Sequence, residues 1–225
     1  MTITITRPCA LLHTTGRDLK ALFDVVLAHA SCDEDDLPEL DQLHIEVCDG
    51  DLRLVCTDRH TMAIVRQPLE STTEGFTCAF AVSCWHIRHL VKALSDKDTV
   101  TVAIEANRLL VTIGDELHTI PGEESHLPWR KALARHLAPT STPTGRLLIN
   151  PALLARLAPA RALYEDVPLQ VQMHGERGAV IATLADRVLV LVMPMHNNGR
   201  LSERALPSRP FDGWFDLLDE SWQVQ

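Results

Sequence analysis

No stretch of these 225 residues approaches the roughly 20 consecutive apolar positions that a membrane-spanning helix needs. The opening Met1-Thr2-Ile3-Thr4-Ile5-Thr6 lacks both the basic start and the apolar core of a secretory signal, so a cytoplasmic protein with no membrane partner is expected. Cysteines are never spaced as CxxC, and the 11 histidines show no zinc-site spacing with cysteine or carboxylate, so neither a metal nor another cofactor is expected. The six cysteines, Cys9, Cys32, Cys48, Cys56, Cys78 and Cys84, fall in the first half, mostly in apolar strand-like runs, and read as reduced, buried thiols. No nucleophile motif or phosphate-binding glycine loop accompanies Asp58 and His60, the one pair that could serve acid–base chemistry. No catalytic residue is therefore assigned, and the chain is not expected to be an enzyme. An excess of positive charge is missing too: 21 Lys and Arg stand against 30 Asp and Glu, a net −9. That balance argues against coating nucleic acid with the whole surface, while leaving room for a local basic face.

What the chain does have is periodicity. Thr15 and Asp18 have capping-box-like spacing ahead of Leu19, Leu22, Phe23, Val26 and Leu27, which recur at helical intervals. Ser31 to Pro38, with Asp33-Glu34-Asp35-Asp36, reads as an acidic loop. Leu43, Ile45 and Val47 alternate with polar or small partners, and Asp49-Gly50 turns the chain back into 52–56 as a hairpin. A polar corner, Thr57-Asp58-Arg59-His60, precedes a strand at 62–65, and another strand is predicted at 76–82. Ser83 caps a second helix with Ile87, Leu90, Val91 and Leu94 inward, followed by strands at 100–104, 109–113 and 116–120. The stretch 121–145 holds Pro121, Pro128, Pro139, Pro143 and a threonine-rich run, and reads as a linker at 126–145. Beyond it come a short strand at 146–149, an Asn150-Pro151 helix start with Leu153, Leu154 and Leu157 on one face, and strands at 169–173, 179–184 and 188–193. Pro159 keeps that third helix short.

The order strand, helix, three strands thus occurs three times, at roughly 9–66, 76–120 and 146–195. One such unit cannot bury both a helix stripe and a sheet face, whereas two side by side can. The expected class is α+β, with antiparallel sheets and helices on one face. A domain of two repeats spans 1–125, the linker 126–145, half a domain 146–200, and an acidic, aromatic tail 201–225.

The run Leu189-Val190-Leu191-Val192-Met193-Pro194-Met195 is a buried strand by composition, stopped by a proline that cannot donate to a ladder. Its methionines either fill space in a core or offer an adaptable apolar contact to a partner. Here the residues carry a resemblance. The segment from Leu52 through Thr57-Asp58-Arg59-His60-Thr61-Met62-Ala63 resembles the middle-domain corner of the bacterial sliding clamp, the beta subunit of DNA polymerase III, with Arg59 in place of the family's glycine. Residues 121–130 resemble, more loosely, the segment leaving that middle domain, and Val192-Met193-Pro194-Met195 matches the family's carboxy-terminal Val-Met-Pro-Met, followed by His196 instead of arginine. The family's first domain has no counterpart.

The resemblance implies a non-enzymatic protein of DNA replication or repair. Its peptide-binding pocket would use Thr57, Arg59, His60, Thr61 and Met62 with Met193, Pro194 and Met195. The partners implied are peptides of polymerases or repair proteins, with double-stranded DNA as a further partner. Arg17, Lys20, Arg88, Lys92, Arg156 and Arg161 would face that DNA, unless they are simply solvated helix faces. A DNA-encircling processivity factor assembled from several copies and a regulator that competes with the true clamp are the alternatives. The half domain, lacking its other half, predicts a homo-oligomer, in the simplest case a dimer joined through 146–195, unless the linker or the tail covers it. The tail, with Phe211, Trp214, Phe215, Leu217, Leu218 and Trp222 among four acidic residues, is expected either to dock on its own domain or to occupy a groove like the one above.

Overall fold

The computed structural model describes residues 9–31, 37–137, 148–163, 167–173 and 179–194, which fall in one compact unit ending at Pro194. Met195, Cys32, the 201–225 tail and most of the acidic loop lie outside the described residues.

The first repeat runs β1 (Cys9–Thr15), α1 (Gly16–Leu27), a 3-10 turn at Pro38–Asp41, then β2 (Gln42–Cys48), β3 (Asp51–Thr57) and β4 (Thr61–Pro68). Thr15 caps α1 by accepting from Asp18 N at 3.1 Å, satisfying one of the donors a helix start leaves open. Asp49 and Gly50, at φ 56° and 78°, turn β2 into β3 with two consecutive left-handed residues, the backbone that matches strand twist. A two-residue β5 (Ser71–Thr72) leads to the second repeat: β6 (Cys78–Ser83), α2 (Cys84–Ala93), β7 (Thr99–Glu105), β8 (Arg108–Ile113) and β9 (Glu116–Pro121). Ser83 caps α2 by accepting from Trp85 N at 3.2 Å. Next come β10 (Glu123–Glu124) and α3 (Trp129–Leu137). The third repeat holds α4 (Pro151–Ala155), a 3-10 turn at Ala158–Ala162, β11 (Gln170–Met173), β12 (Val180–Leu184) and β13 (Val188–Val192). Asn150 caps α4 through Ala152 N at 3.0 Å, with Pro151 at the first helical position.

The first two repeats exchange their leading strands. β1 pairs with β7, from Cys9 opposite Glu105 to Thr15 opposite Thr99, and β6 pairs with β2, from Ser83 opposite Gln42 to Cys78 opposite Val47. Among the described residues this gives a five-stranded sheet, β5-β1-β7-β8-β9, and an eight-stranded sheet, β10-β6-β2-β3-β4-β13-β12-β11. The core between them takes Phe23, Val26 and Leu22 from α1, Ile87 and Leu90 from α2, and the inward residues of both sheets. Each fully buried side chain of this size contributes roughly 1.5–3 kcal/mol, so truncating Phe80 would remove one of the larger single terms.

Three expectations change. The stretch read as a linker at 126–145 contains α3, because Trp129, Ala132 and Leu133 form an apolar face at helical spacing. The strand expected at 146–149 is absent over its described part, since Leu148 and Ile149 carry no strand pairing. The third repeat also shares a sheet with the first: β13 adds to β4, with Val188 opposite Val65 and Val192 opposite Thr61, so one sheet runs across the expected boundary. Leu153 and Leu157 pack on the same core as α1 and α2.

Along β4 and β13 the side chains divide between two faces. Ala63, Val65, Val190 and Val192 point to the main core, while Met62, Ile64, Leu189 and Leu191 form a second cluster with Val55 and Ile181. Leu127, Trp129, Ala132 and Leu133 cover that cluster, so α3 is an exception to the expectation of helices on one face. Arg130 fastens its start, lying 4.2 Å over the Trp129 ring and pairing with Glu46 of β2. Of the cysteines described with their side chains, Cys56 and Cys84 are buried, Cys48 and Cys78 half-buried, and all four are free thiols.

Candidate peptide groove at the β3–β4 corner

The polar corner is organised by Asp58. Its Oδ1 accepts from His60 N at 3.0 Å, from Thr61 N at 2.7 Å and from Thr61 Oγ1 at 3.0 Å, closing a tight turn with one carboxylate. Its Oδ2 pairs with the guanidinium of Arg156, which also donates to Thr61 Oγ1 at 3.0 Å. Burial alone would raise the Asp58 pKa. The hydrogen bonds from Arg156 and Thr61, with the guanidinium charge, outweigh it and hold the carboxyl below the usual range. Asp58 is thus a fastener between the first repeat and the third, its ionised form favoured by Arg156 and Thr61.

Thr57 completes the corner, donating from Oγ1 to Thr61 O at 2.7 Å and accepting from Arg59 N at 3.2 Å. Arg59 sits at φ 72°, a left-handed conformation that costs a side-chain-bearing residue about 1 kcal/mol or more. Glycine would take that backbone without the strain.

The carboxy-terminal strand reaches the same place. Met62 lies opposite Leu191 and Thr61 opposite Val192, and Met193 N donates to His60 O at 2.8 Å, one step beyond the ladder. The two motifs are separated by more than 130 residues in sequence and joined here by main-chain hydrogen bonds. Arg59 and His60 are exposed, Thr57 and Met193 half-buried, and Thr61, Met62 and Pro194 buried. Met62 is buried with Leu191 and Val55 in the cluster that α3 covers, and half-buried Met193 packs at the margin of that cluster beside residues of α3. The wall contributed by Leu127, Trp129, Ala132 and Leu133 was not among the predicted site residues. Its sequence signal was the helical spacing of 129, 132 and 133, obscured by the prolines at 121 and 128.

The predicted DNA-facing cations divide differently. Arg17, Lys20, Lys92 and Arg161 are exposed on or beside helices of the main-core side. Arg88 is half-buried and bonded to Asp41 at 3.1 Å. Arg156 is half-buried and paired with Asp58. Asp24 shares the α1–α2 cleft with Arg88, Lys92 and Pro159; desolvation raises its pKa against the opposing charge of Lys20. The helical face is therefore mixed in sign.

Among the described residues no group of three or more histidine, cysteine or acidic side chains is placed to hold a metal, and no helix is long and apolar enough to cross a membrane.

The sequence matches no protein-family model and no curated protein. The fold does have matches. A putative DNA polymerase III beta subunit from Eubacterium rectale superposes with a TM-score of 0.67 at 11% identity, over 87% of this chain and 68% of that one. The beta subunit of Thermotoga maritima gives 0.66 at 13% identity, covering 90% and 68%, and the Pseudomonas aeruginosa sliding clamp bound to griselimycin gives 0.62 at 15%, covering 90% and 69%. With its repeats, its shared sheet and its corner, the chain has the fold of the bacterial sliding clamps over 68% of the length of the Thermotoga maritima and Eubacterium rectale proteins.

Proposed function

We propose that this protein is a clamp-like binding module of DNA replication or repair, presenting a groove for short peptides of polymerases or related partners. The observation that carries the reading is the hydrogen bond from Met193 N to His60 O, which brings the two clamp-like motifs to one place. Around it lie half-buried Met193, at the margin of the apolar cluster that α3 covers, and a polar rim of Thr57, Arg59 and His60. An apolar anchor ringed by a few directed polar groups is what a short linear peptide needs for affinity and register. Arg59 adds a cation at the rim, which favours peptides carrying acidic residues. The predicted Met195 lies next in sequence to Pro194 and belongs to the same proposal.

A second reading, a DNA-encircling factor built from several copies, draws on Arg17, Lys20, Lys92 and Arg161 along the helical side. Asp18 and Asp24 between them, and the net charge of −9, weaken it. One experiment separates the two. At low salt, the full chain is titrated with a labelled polymerase-derived clamp-binding peptide and, separately, with a labelled DNA duplex. Peptide binding without duplex binding supports the module; duplex binding that falls steeply with salt, with no peptide binding, replaces it with the second reading.

A further inference from the structure

We propose that the open edge of β11 is closed by the same surface of a second copy of this chain, about a two-fold axis. The pairing inside the chain supplies the rule. In the first repeat β2 is flanked by β6, the strand just ahead of α2; in the second, β7 is flanked by β1, the strand just ahead of α1. β11 holds that position in the third repeat, with Gln170 opposite Thr183 and Met173 opposite Val180 on its β12 side, and no strand on its other side among the described residues. Leu148 and Ile149, directly ahead of α4, hold the place of a leading strand; Ile149 packs on the main core, and neither is in a strand pair among the described residues. A repeat whose outer strand and leading segment both lack, among the described residues, the partners they have in the first two repeats can be completed by a second copy about a two-fold axis.

The side chains agree. On and beside this edge Val171 is 55% and Leu169 41% exposed, and Leu154 of α4 is 41% exposed. β11 reads Gln-Val-Gln-Met, with no charge or proline to deter pairing. β9, the outer strand of the other sheet, instead carries Glu116 and His118 and ends in Pro121, the usual protections of an edge that stays in water. That contrast favours β11 meeting its own copy over β11 meeting β9 of another chain. Leu157 packs on the chain's own core, so Leu154 is the helix residue left for the junction.

The test is sedimentation of the full chain at micromolar concentration, with amide exchange of residues 170–173 at two concentrations. A mass of two 25.0 kDa chains and exchange that slows as concentration rises are expected. Val171→Lys and, independently, Leu154→Glu should each weaken the dimer about tenfold or more. A mass of one chain overturns the proposal, as does a two-chain mass that neither substitution shifts. Mass that keeps growing with concentration overturns it too, since a two-fold contact closes at two. If the full chain is monomeric and the chain truncated after Gly199 dimerises, the tail covers the edge and the proposal is wrong for the intact protein. Peptide binding plays no part in these outcomes, so the groove and the dimer stand or fall separately.

Discussion

β4 and β9 hold the same place in successive repeats and meet opposite fates. β4 is buried from Thr61 through Val65, with β3 on one side and β13 on the other. β9 is largely exposed, with β8 on one side only among the described residues. Their compositions fit these fates: Thr-Met-Ala-Ile-Val is a continuous run suited to burial on both faces, whereas Glu-Leu-His-Thr-Ile-Pro is broken by polar residues and ends in proline. The connections differ as well. Gly114-Asp115 makes a plain exposed turn before β9, while Asp58-Arg59-His60 makes a longer corner whose carboxylate reaches Arg156 of another repeat. A repeat therefore sets which strands form, and its neighbours set which strand becomes a joint. The candidate groove lies at the joint.

Asp58→Ala should break the comparison most severely. It leaves Thr61 and the half-buried Arg156 without their acceptor, a loss of about 3–5 kcal/mol by analogy with other broken buried pairs, read from the urea midpoint. Asp115→Ala, at the equivalent turn, should change stability by less than about 0.5 kcal/mol. Equal effects would mean the corner is not a joint.

Titration should sharpen the same contrast. His29, fully buried near Arg156 and Asp58, has its pKa pushed down to about 4, foremost by burial, then by Arg156, against the pull of Asp58. The unfolded chain takes up this proton near pH 6.5 and the folded chain only near 4, so stability should fall as pH drops through that window, by on the order of 3 kcal/mol in total. His29→Leu should flatten this slope. Asp58, with its pKa lowered, adds a loss of its own only below its unfolded value of about 4.

The smallest effects concern the two turns. Arg59→Gly should stabilise by about 0.5–1 kcal/mol by relieving a left-handed arginine. Gly114→Ala, at φ 58°, should destabilise by about 1 kcal/mol. Thermal midpoints of the two variants check both signs.

Much of this was legible in the sequence because it is local. Thr15, Ser83 and Asn150 mark helix starts through oxygens that reach an amide two or three residues on, and Asp49-Gly50 marks a hairpin through its dihedral tolerance. The threefold order of elements followed from those signals. What stayed hidden is long-range. Nothing in β4 or β13 alone says that they pair, since an apolar run suits any buried neighbour. Arg156 looked like one more helix-face cation, and only the arrival of Asp58 from 98 residues away gives it another use. α3 was missed because flanking prolines spoke louder than three apolar residues at helical spacing. In the groove, the resemblance supplied the corner and the strand end, whereas the α3 wall came only from the structure.

The most direct test of the groove is the affinity of the full chain for a polymerase-derived clamp-binding peptide, measured by fluorescence anisotropy before and after Met193→Glu. Met193 is half-buried at the groove margin, so the variant should fold while placing a carboxylate against the peptide's apolar anchor. The account predicts measurable binding by the wild type and a loss of at least about a hundredfold, or roughly 2.7 kcal/mol, in the variant. Unchanged affinity in a folded Met193→Glu protein would contradict it.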